Sequence, residues 1–471
     1  MKIARHRFDE RLTRARRITW LAVTLLAALA PSFSSAGTPT PFAPPAENAL
    51  VLYERATLID GTGAPAQPDM DVLVQGERIT NVFPHRELDA SRVGKAKVID
   101  LRGRYLMPGL IDSHVHLATP PNRRQAEAVL RRNLYGGVTA VRDMADDLRA
   151  LGDIARASRV GEIAGPDVYY AALMAGPAFF TDKRTIQVSA GGVAGQVPWM
   201  QAITDQTDLP LAMAVARGTS ATAIKLYADL ASDLAARITA EAHRQHMLVW
   251  AHATLFPAKP SEVVAAGVDA ISHACLLVYE TAQEVRAFSE PRSPVSLDQF
   301  RDGSNPVLAR LFSDMARRGI ILDATIWTYG APDLAGTPAS AQKRCDEALG
   351  AVITGQAYRA GVPISAGTDN FAPESDPWPD VFHEIDDLVT RAGIPMAAVL
   401  RSATLIGARA AGQEREMGSI EPGKLANMVV MARDPLAGAQ NLRSVVMTVK
   451  RGRAYRRSGF RPLRKGDITD Y

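Results

Sequence analysis

Two of the nine histidines in this 471-residue chain stand one residue apart, in Pro108-Gly109-Leu110-Ile111-Asp112-Ser113-His114-Val115-His116. Side chains alternate along a β-strand, so His114 and His116 share a face and can grip one ion while Val115 points the other way. Neutral imidazole suits zinc and its neighbours, but such sites take three or more protein ligands. The pair therefore begins a metal site and needs partners from elsewhere in the chain. The candidates are Lys225, His252, His273 and Asp369, each at the C-terminal end of a short apolar run. A protonated lysine has three donors and no lone pair, so Lys225 could ligate only if burial deprotonated it or a covalent change gave it oxygens. The plainer alternative is a structural lysine paired with Asp143 or Asp369. His85, His243 and His246 read as structurally satisfied histidines.

These residues need elements to carry them. After a Pro-rich connector, Thr38 to Ala46, short β-type runs at Leu50-Val51-Leu52-Tyr53, Val72-Leu73-Val74 and Ile79-Thr80-Asn81-Val82 predict a small antiparallel sheet. From Leu106 onward, apolar runs alternate with helical periodicity. They begin at the His-x-His segment and continue at Val138, Val168, Ala223, Leu248, Ala270, Ile320 and Pro363. Eight strands alternating with helices fit an α/β (β/α)₈ TIM barrel, in which strand ends converge on one mouth. The stretch Gly418 to Tyr455 is β-type again. The expected organisation is a signal peptide (1–36), a linker (37–47), one part of a β-sandwich (48–106), the barrel (107–408), the second part of the sandwich (409–460) and a tail (461–471). Gly176 to Pro210 and Thr281 to Asn305 interrupt the rhythm just after barrel strands, where they are either substrate lids or surface insertions.

The leader reading rests on Arg14, Arg16 and Arg17 before the apolar run Trp20 to Ala30 and the small residues Ser34-Ser35-Ala36. It implies export, to the periplasm in a bacterial cell, with no stable membrane insertion once the leader is cleaved; an uncleaved anchor helix is the alternative. Seven basic and two acidic residues give that leader +5 of the total formal charge of +4, leaving −1 for the remainder. The high isoelectric point is then no argument for nucleic-acid binding. The basic stretch Lys450 to Lys465 reads as solvated surface. Cys275 and Cys345 could pair in an oxidising compartment, although their spacing alone does not show that they meet.

Taken together, the segments around His114, Gly137-Val138-Thr139-Ala140-Val141-Arg142-Asp143, Ile224-Lys225, Ala251-His252-Ala253, Ser272-His273-Ala274 and Ala366-Gly367-Thr368-Asp369 resemble the amidohydrolase superfamily. The resemblance is to its imidazolonepropionase-like and prolidase-like members with a binuclear metal centre. It implies that His114, His116 and Asp369 hold one divalent ion, zinc being the expected metal, and that His252 and His273 hold a second. It further implies a carboxylated Lys225 and a hydroxide bridging the two. Asp369 would take the hydroxide's proton during attack and hand it to a leaving nitrogen. The implied activity is hydrolysis of an amide-type bond in a small molecule: a non-peptide carbon–nitrogen bond, a cyclic amide or a dipeptide-like substrate. A mononuclear deaminase, a lactone or ester hydrolase and a non-catalytic binding protein are the alternatives, and homo-oligomerisation is left open. Tyr227 is a candidate oxyanion donor or a packing residue. Arg142, with Arg184 and Lys183, is a candidate carboxylate clamp, the alternative being that Arg142 pairs with Asp143 and the other two are solvated; His383 of His383-Glu384 is a candidate substrate contact or a packing residue. Many relatives carry a tyrosine soon after the third histidine; here the run is His252-Ala253-Thr254-Leu255-Phe256.

Overall fold

The structure is a computed structural model that describes residues 45–330, 345–371 and 375–462. The proposed signal peptide and most of the linker and tail lie outside the described residues. Among the described residues, no helix is long and apolar enough to cross a membrane.

Five strands precede the barrel: β1 (Leu50–Leu58), β2 (Gln67–Gln75), β3 (Arg78–Pro84), β4 (Lys97–Asp100) and β5 (Tyr105–Pro108). The barrel strands are β6 (Leu110–Val115), β7 (Val138–Asp143), β8 (Asp167–Ala175), β11 (Ala223–Leu226), β12 (Leu248–His252), β13 (Ala270–Ser272), β14 (Ile321–Asp323) and β15 (Ile364–Ser365). A small hairpin, β9 (Gln196–Val197) and β10 (Met200–Ala202), is attached to β8. Three strands follow the barrel: β16 (Met428–Met431), β17 (Val445–Lys450) and β18 (Arg453–Arg456).

All eight apolar runs named from the sequence are barrel strands. They pair in parallel from β6 through β15 in chain order, with only the hairpin hung outside. The Ser113 amide donates to the carbonyl of Ala366 at 2.8 Å, drawing β6 to the chain beyond β15 and nearly closing the ring. Residues in these strands are buried on both faces, as parallel strands covered by helices must be. The helices start and stop on local chemistry. Asp147 accepts from the Arg149 amide ahead of the helix Leu148–Val160, and Gly161 ends that helix at φ 80°, a conformation that favours glycine.

The strands outside the barrel form one eight-stranded sheet drawn from both segments, ordered β18-β17-β16-β5-β1-β2-β3, with β4 also on β1. The sheet has its own core, including Tyr53, Val72, Leu106, Val430 and Val449. The three runs expected to form an antiparallel sheet do so, β1 with β2 and β2 with β3, but the whole sheet is mixed, because β4 and β5 both pair with β1 in parallel, at opposite ends of its length. Lys450 and Arg451 also differ from expectation. They are buried rather than solvated, and they ion-pair with Asp167, the first residue of β8, at 3.0 and 2.8 Å. An isolated buried carboxylate would be costly, so this contact ties the late sheet strand to the barrel wall.

Candidate metal centre

Each proposed ligand arrives at the barrel mouth from the end of its strand. His114 is the second-to-last residue of β6 and His116 lies just beyond it; Lys225 is on β11; His252 closes β12; His273 follows β13. Asp369 lies four residues past β15, and its amide donates to the carbonyl of His114 at 2.9 Å. The backbones of His273, Thr325 and Asp369 sit at φ 78°, 50° and 49°. Left-handed geometry at non-glycine residues costs roughly 1–3 kcal/mol each, and its concentration here marks a site the surrounding fold holds in place.

The geometry is tightest around the first three ligands. Nε2 of His114 and Nε2 of His116 each lie 3.4 Å from Oδ1 of Asp369, and these three side chains could hold a metal ion. Their other nitrogens are engaged. Nδ1 of His114 donates to Oδ2 of Asp323 at 2.7 Å, and Nδ1 of His116 to Oδ1 of Asp146 at 2.9 Å. A carboxylate on Nδ1 fixes the tautomer that leaves Nε2 as the ligand atom. His273 adjoins this group, its Nδ1 3.8 Å from Oδ2 of Asp369 and 2.9 Å from the hydroxyl of Thr325. The rings of His252 and His273 are 4.6 Å apart between centroids. Lys225, 1% exposed, donates to the hydroxyl of Ser272 at 3.3 Å.

Burial dominates the electrostatics. It pulls His252 well below the ordinary histidine range and His273 to about 3, and it lowers His114 against the opposing pull of Asp369 and Asp323. Imidazoles in that state are neutral and keep a lone pair for a ligand. Burial also opposes protonation of His116, but the carboxylates of Asp146 and Asp369 outweigh it and raise this histidine well above its ordinary value. The same histidines, outweighing burial, hold Asp369 far below the usual carboxylate range, so it is ionised. Burial brings Lys225 down to about 7, which makes its neutral amine accessible near neutral pH. Three imidazoles held neutral, a fourth set between two carboxylates, an ionised aspartate and a lysine that can shed its proton fit the chemistry of divalent cations.

The predicted substrate contacts divide. Tyr227 lines the mouth, its ring 3.8 Å from that of His252 and stacked on Phe179 at 4.3 Å. Phe179 in turn meets Phe288 at 5.2 Å, so both chain segments that interrupt the barrel rhythm reach this wall. The guanidinium of Arg184 lies 5.8 Å from the Tyr227 ring and is also paired with Asp182. His383 is partly exposed and stacks on Trp327 at 4.9 Å, while its neighbour Glu384 accepts the amides of Ile326 and Trp327. Arg142 is corrected: it is fully buried behind His114, donating to the carbonyl of Ser113 at 2.6 Å and paired with Asp323 rather than Asp143. Asp323, Asp146, Ser272 and Thr325 were missed. Asp323 had a signal, since it ends a strand in Ile321-Leu322-Asp323 just as His252 ends β12. Asp146 was masked by the run Asp143-Met144-Ala145-Asp146-Asp147, which reads as the start of a helix.

Two glycines make the approach possible. A Cβ on Gly367 would lie 2.3 Å from Oδ1 of Asp323 and 2.7 Å from Cβ of His114; one on Gly109 would lie 2.1 Å from the hydroxyl of Thr139. Neither position has room for a side chain.

An imidazolonepropionase from Anaeromyxobacter sp. (strain K) is 43% identical over 65 residues, 14% of this chain and 15% of that protein. A dihydroorotase from Syntrophobacter fumaroxidans is 34% identical over 93 residues, 19% of this chain. The match spans only 21% of that dihydroorotase's length. Among solved structures, a Xaa-Pro dipeptidase with bound methionine superposes with a TM-score of 0.67 at 20% identity, covering 87% of this chain and all of that one. The ochratoxinase of A. niger gives 0.69 at 18% identity, covering 90% and 99%. At those identities the superpositions establish the fold. The model of the amidohydrolase family matches residues 105–455, three quarters of the sequence and every strand of the barrel, and the chain belongs to that family.

Proposed function

We propose that this protein hydrolyses an amide-type carbon–nitrogen bond in a small molecule, with two divalent cations at the barrel mouth. The observation that carries the reading is the convergence of two Nε2 atoms on one ionised carboxylate, each imidazole backed by its own buried acid. His114, His116 and Asp369 would hold one cation, and His252, His273 and a carboxylated Lys225 the other, with zinc the first metal to test. Such cations, when bound, supply Lewis acidity and lower the pKa of water toward neutrality. The protein's own residues do the rest. Asp369, ionised and beside the reacting centre, accepts a proton as water attacks the carbonyl and passes it to the departing nitrogen. Tyr227, Phe179 and Phe288 form an apolar wall for the substrate body, and Arg184 is placed to meet an anionic group. The imidazolonepropionase, dihydroorotase and dipeptidase likenesses favour cyclic amides and dipeptide-like amides as the substrates to try first.

The test is a screen of zinc-loaded protein against dipeptides, N-acyl amino acids, cyclic amides and lactones, with chelated protein alongside. Chelator-sensitive amide cleavage is expected. Ammonia release from amino-heterocycles in its place would establish a deaminase, and lactone cleavage alone an ester-type hydrolase.

We further propose export, cleavage after Ala36 and action in the periplasm. The basic-apolar-small order of residues 1–36 supports this, as does the bond between Cys275 and Cys345, whose Cα atoms are 5.7 Å apart. Intact mass of the exported protein checks it, and an unprocessed mass would overturn it.

A further inference from the structure

Behind the ligands lies a buried polar cluster of which the metal reading uses only the contact between Asp323 and His114. Oδ2 of Asp323, at the end of β14, gathers partners from three other barrel strands: Nδ1 of His114 at 2.7 Å, the hydroxyl of Ser272 at 3.0 Å and the guanidinium of Arg142 at 3.0 Å. Ser272 also receives Nζ of Lys225 at 3.3 Å. Arg142 is itself fixed, against the carbonyl of Ser113 and over the ring of Trp250 at 4.7 Å. Gly367 lets the backbone close over Asp323 without a side chain between them. Direction follows from chemistry: a carboxylate only accepts, so the Ser272 hydroxyl must donate to Asp323, and its lone pairs are left for the lysine.

We propose that Arg142, Asp323 and Ser272 are positioning residues that orient Lys225 for conversion to a carbamate and couple that lysine to His114. The inference rests on the carbamate reading above. In the conversion, the lone pair of the neutral Nζ bonds the carbon of carbon dioxide. An electron pair of one C=O bond moves onto oxygen, and one N–H proton leaves to solvent. The nitrogen becomes trigonal and keeps a single N–H. Ser272 accepts that remaining N–H, so the new carboxylate group is turned away from Ser272. Without the hydroxyl, Lys225 loses the partner that selects this orientation.

The experiment compares full-length wild type with Ser272→Ala, Ser272→Thr and Asp323→Asn. Each is incubated with zinc and ¹³C-bicarbonate, then read by the ¹³C carbamate resonance, zinc per chain and melting temperature. In Ser272→Ala the carbamate occupancy at limiting bicarbonate should fall about tenfold, the weight of one buried hydrogen bond, and recover when bicarbonate is raised. Zinc per chain should drop from two toward one. Ser272→Thr, which keeps the hydroxyl, should restore both. Asp323→Asn should lower the carbamate and also weaken the ion held by His114. Wild-type carbamate occupancy in Ser272→Ala overturns the relay while leaving the carbamate intact. A wild type with no carbamate resonance overturns both. Should Ser272→Ala fail to fold, the near-isosteric Asp323→Asn decides, and unchanged occupancy there overturns the relay.

Discussion

His114 and His116 each present Nδ1 to a buried carboxylate, at 2.7 and 2.9 Å, whereas His273 shares its Nδ1 with the hydroxyl of Thr325 and His252 packs its ring on Tyr227. Hydrogen bonds to ionised groups are roughly twice as strong as neutral ones and raise the basicity of the opposite nitrogen. One half of the centre is thus set by charge before anything binds. The other is set by a hydroxyl, ring packing and a buried lysine. On the proposed binuclear reading, a first cation would meet a preformed site and a second would depend on Lys225.

This contrast can be broken or sharpened by substitution. The largest effect should come from Asp369→Asn, which on the proposed mechanism would remove both a ligand and the proton carrier. On the best amide found in the screen, kcat/KM should fall by about 10²–10⁴-fold with little change in melting temperature. Next, Asp146→Asn and Asp323→Asn should each weaken zinc binding by about 10–100-fold in a competitive chelator titration. Thr325→Val should cost only about threefold, since a neutral partner is lost. A Thr325→Val loss as large as the aspartate variants' would erase the distinction between the halves. Gly367→Ala should lower unfolding free energy by about 1–3 kcal/mol in urea, because its methyl meets Asp323 and His114 together. Tyr227→Phe should leave KM within about twofold if the ring rather than the hydroxyl matters, while Tyr227→Ala should raise it.

The smallest effect near neutrality is the pH dependence of stability without metal. Burial pushes Asp167, Asp146 and Asp323 upward, but Lys450 with Arg451, His116, and His114 with Arg142 respectively outweigh it, so all three lie below the ordinary carboxylate value. The unfolded chain therefore takes up these protons first. Their contribution is complete above the unfolded value of about 3.9 and is lost as pH falls through the folded values. The stability difference between wild type and Asp167→Asn, followed in urea from pH 7 to 3, isolates one of these contributions and should hold a plateau and then decline; a difference that grows on acidification would contradict the sign.

The barrel was legible because each of its strands is an apolar run bounded by a turn, and the ligands were legible because they share one position, the strand end. Partnership was less legible. Nothing in Lys97-Val98-Ile99-Asp100 tells whether it joins β1 in parallel, since sheet register is a property of two segments and a sequence shows one at a time. Arg142 was misplaced for a similar reason: its charge argued for the mouth, while its strand position put it against Ser113 and Trp250 inside the barrel wall. Asp323 satisfied the same strand-end rule as the histidines and was passed over because it is not itself among the expected ligands.

The ion pairs of Asp167 carry one more consequence, for the making of the protein. Asp167 opens the third barrel strand, and its partner Arg451 is 284 residues downstream. During synthesis, chain segments emerge from the ribosome in order at about 5–20 residues per second. For most of that interval the third strand carries a carboxylate whose countercharges have not yet been made. The ion pairs that tie the third barrel strand to the sheet can therefore form only after the barrel has been made, which leaves a strand translated after the barrel to close a contact that the barrel holds open.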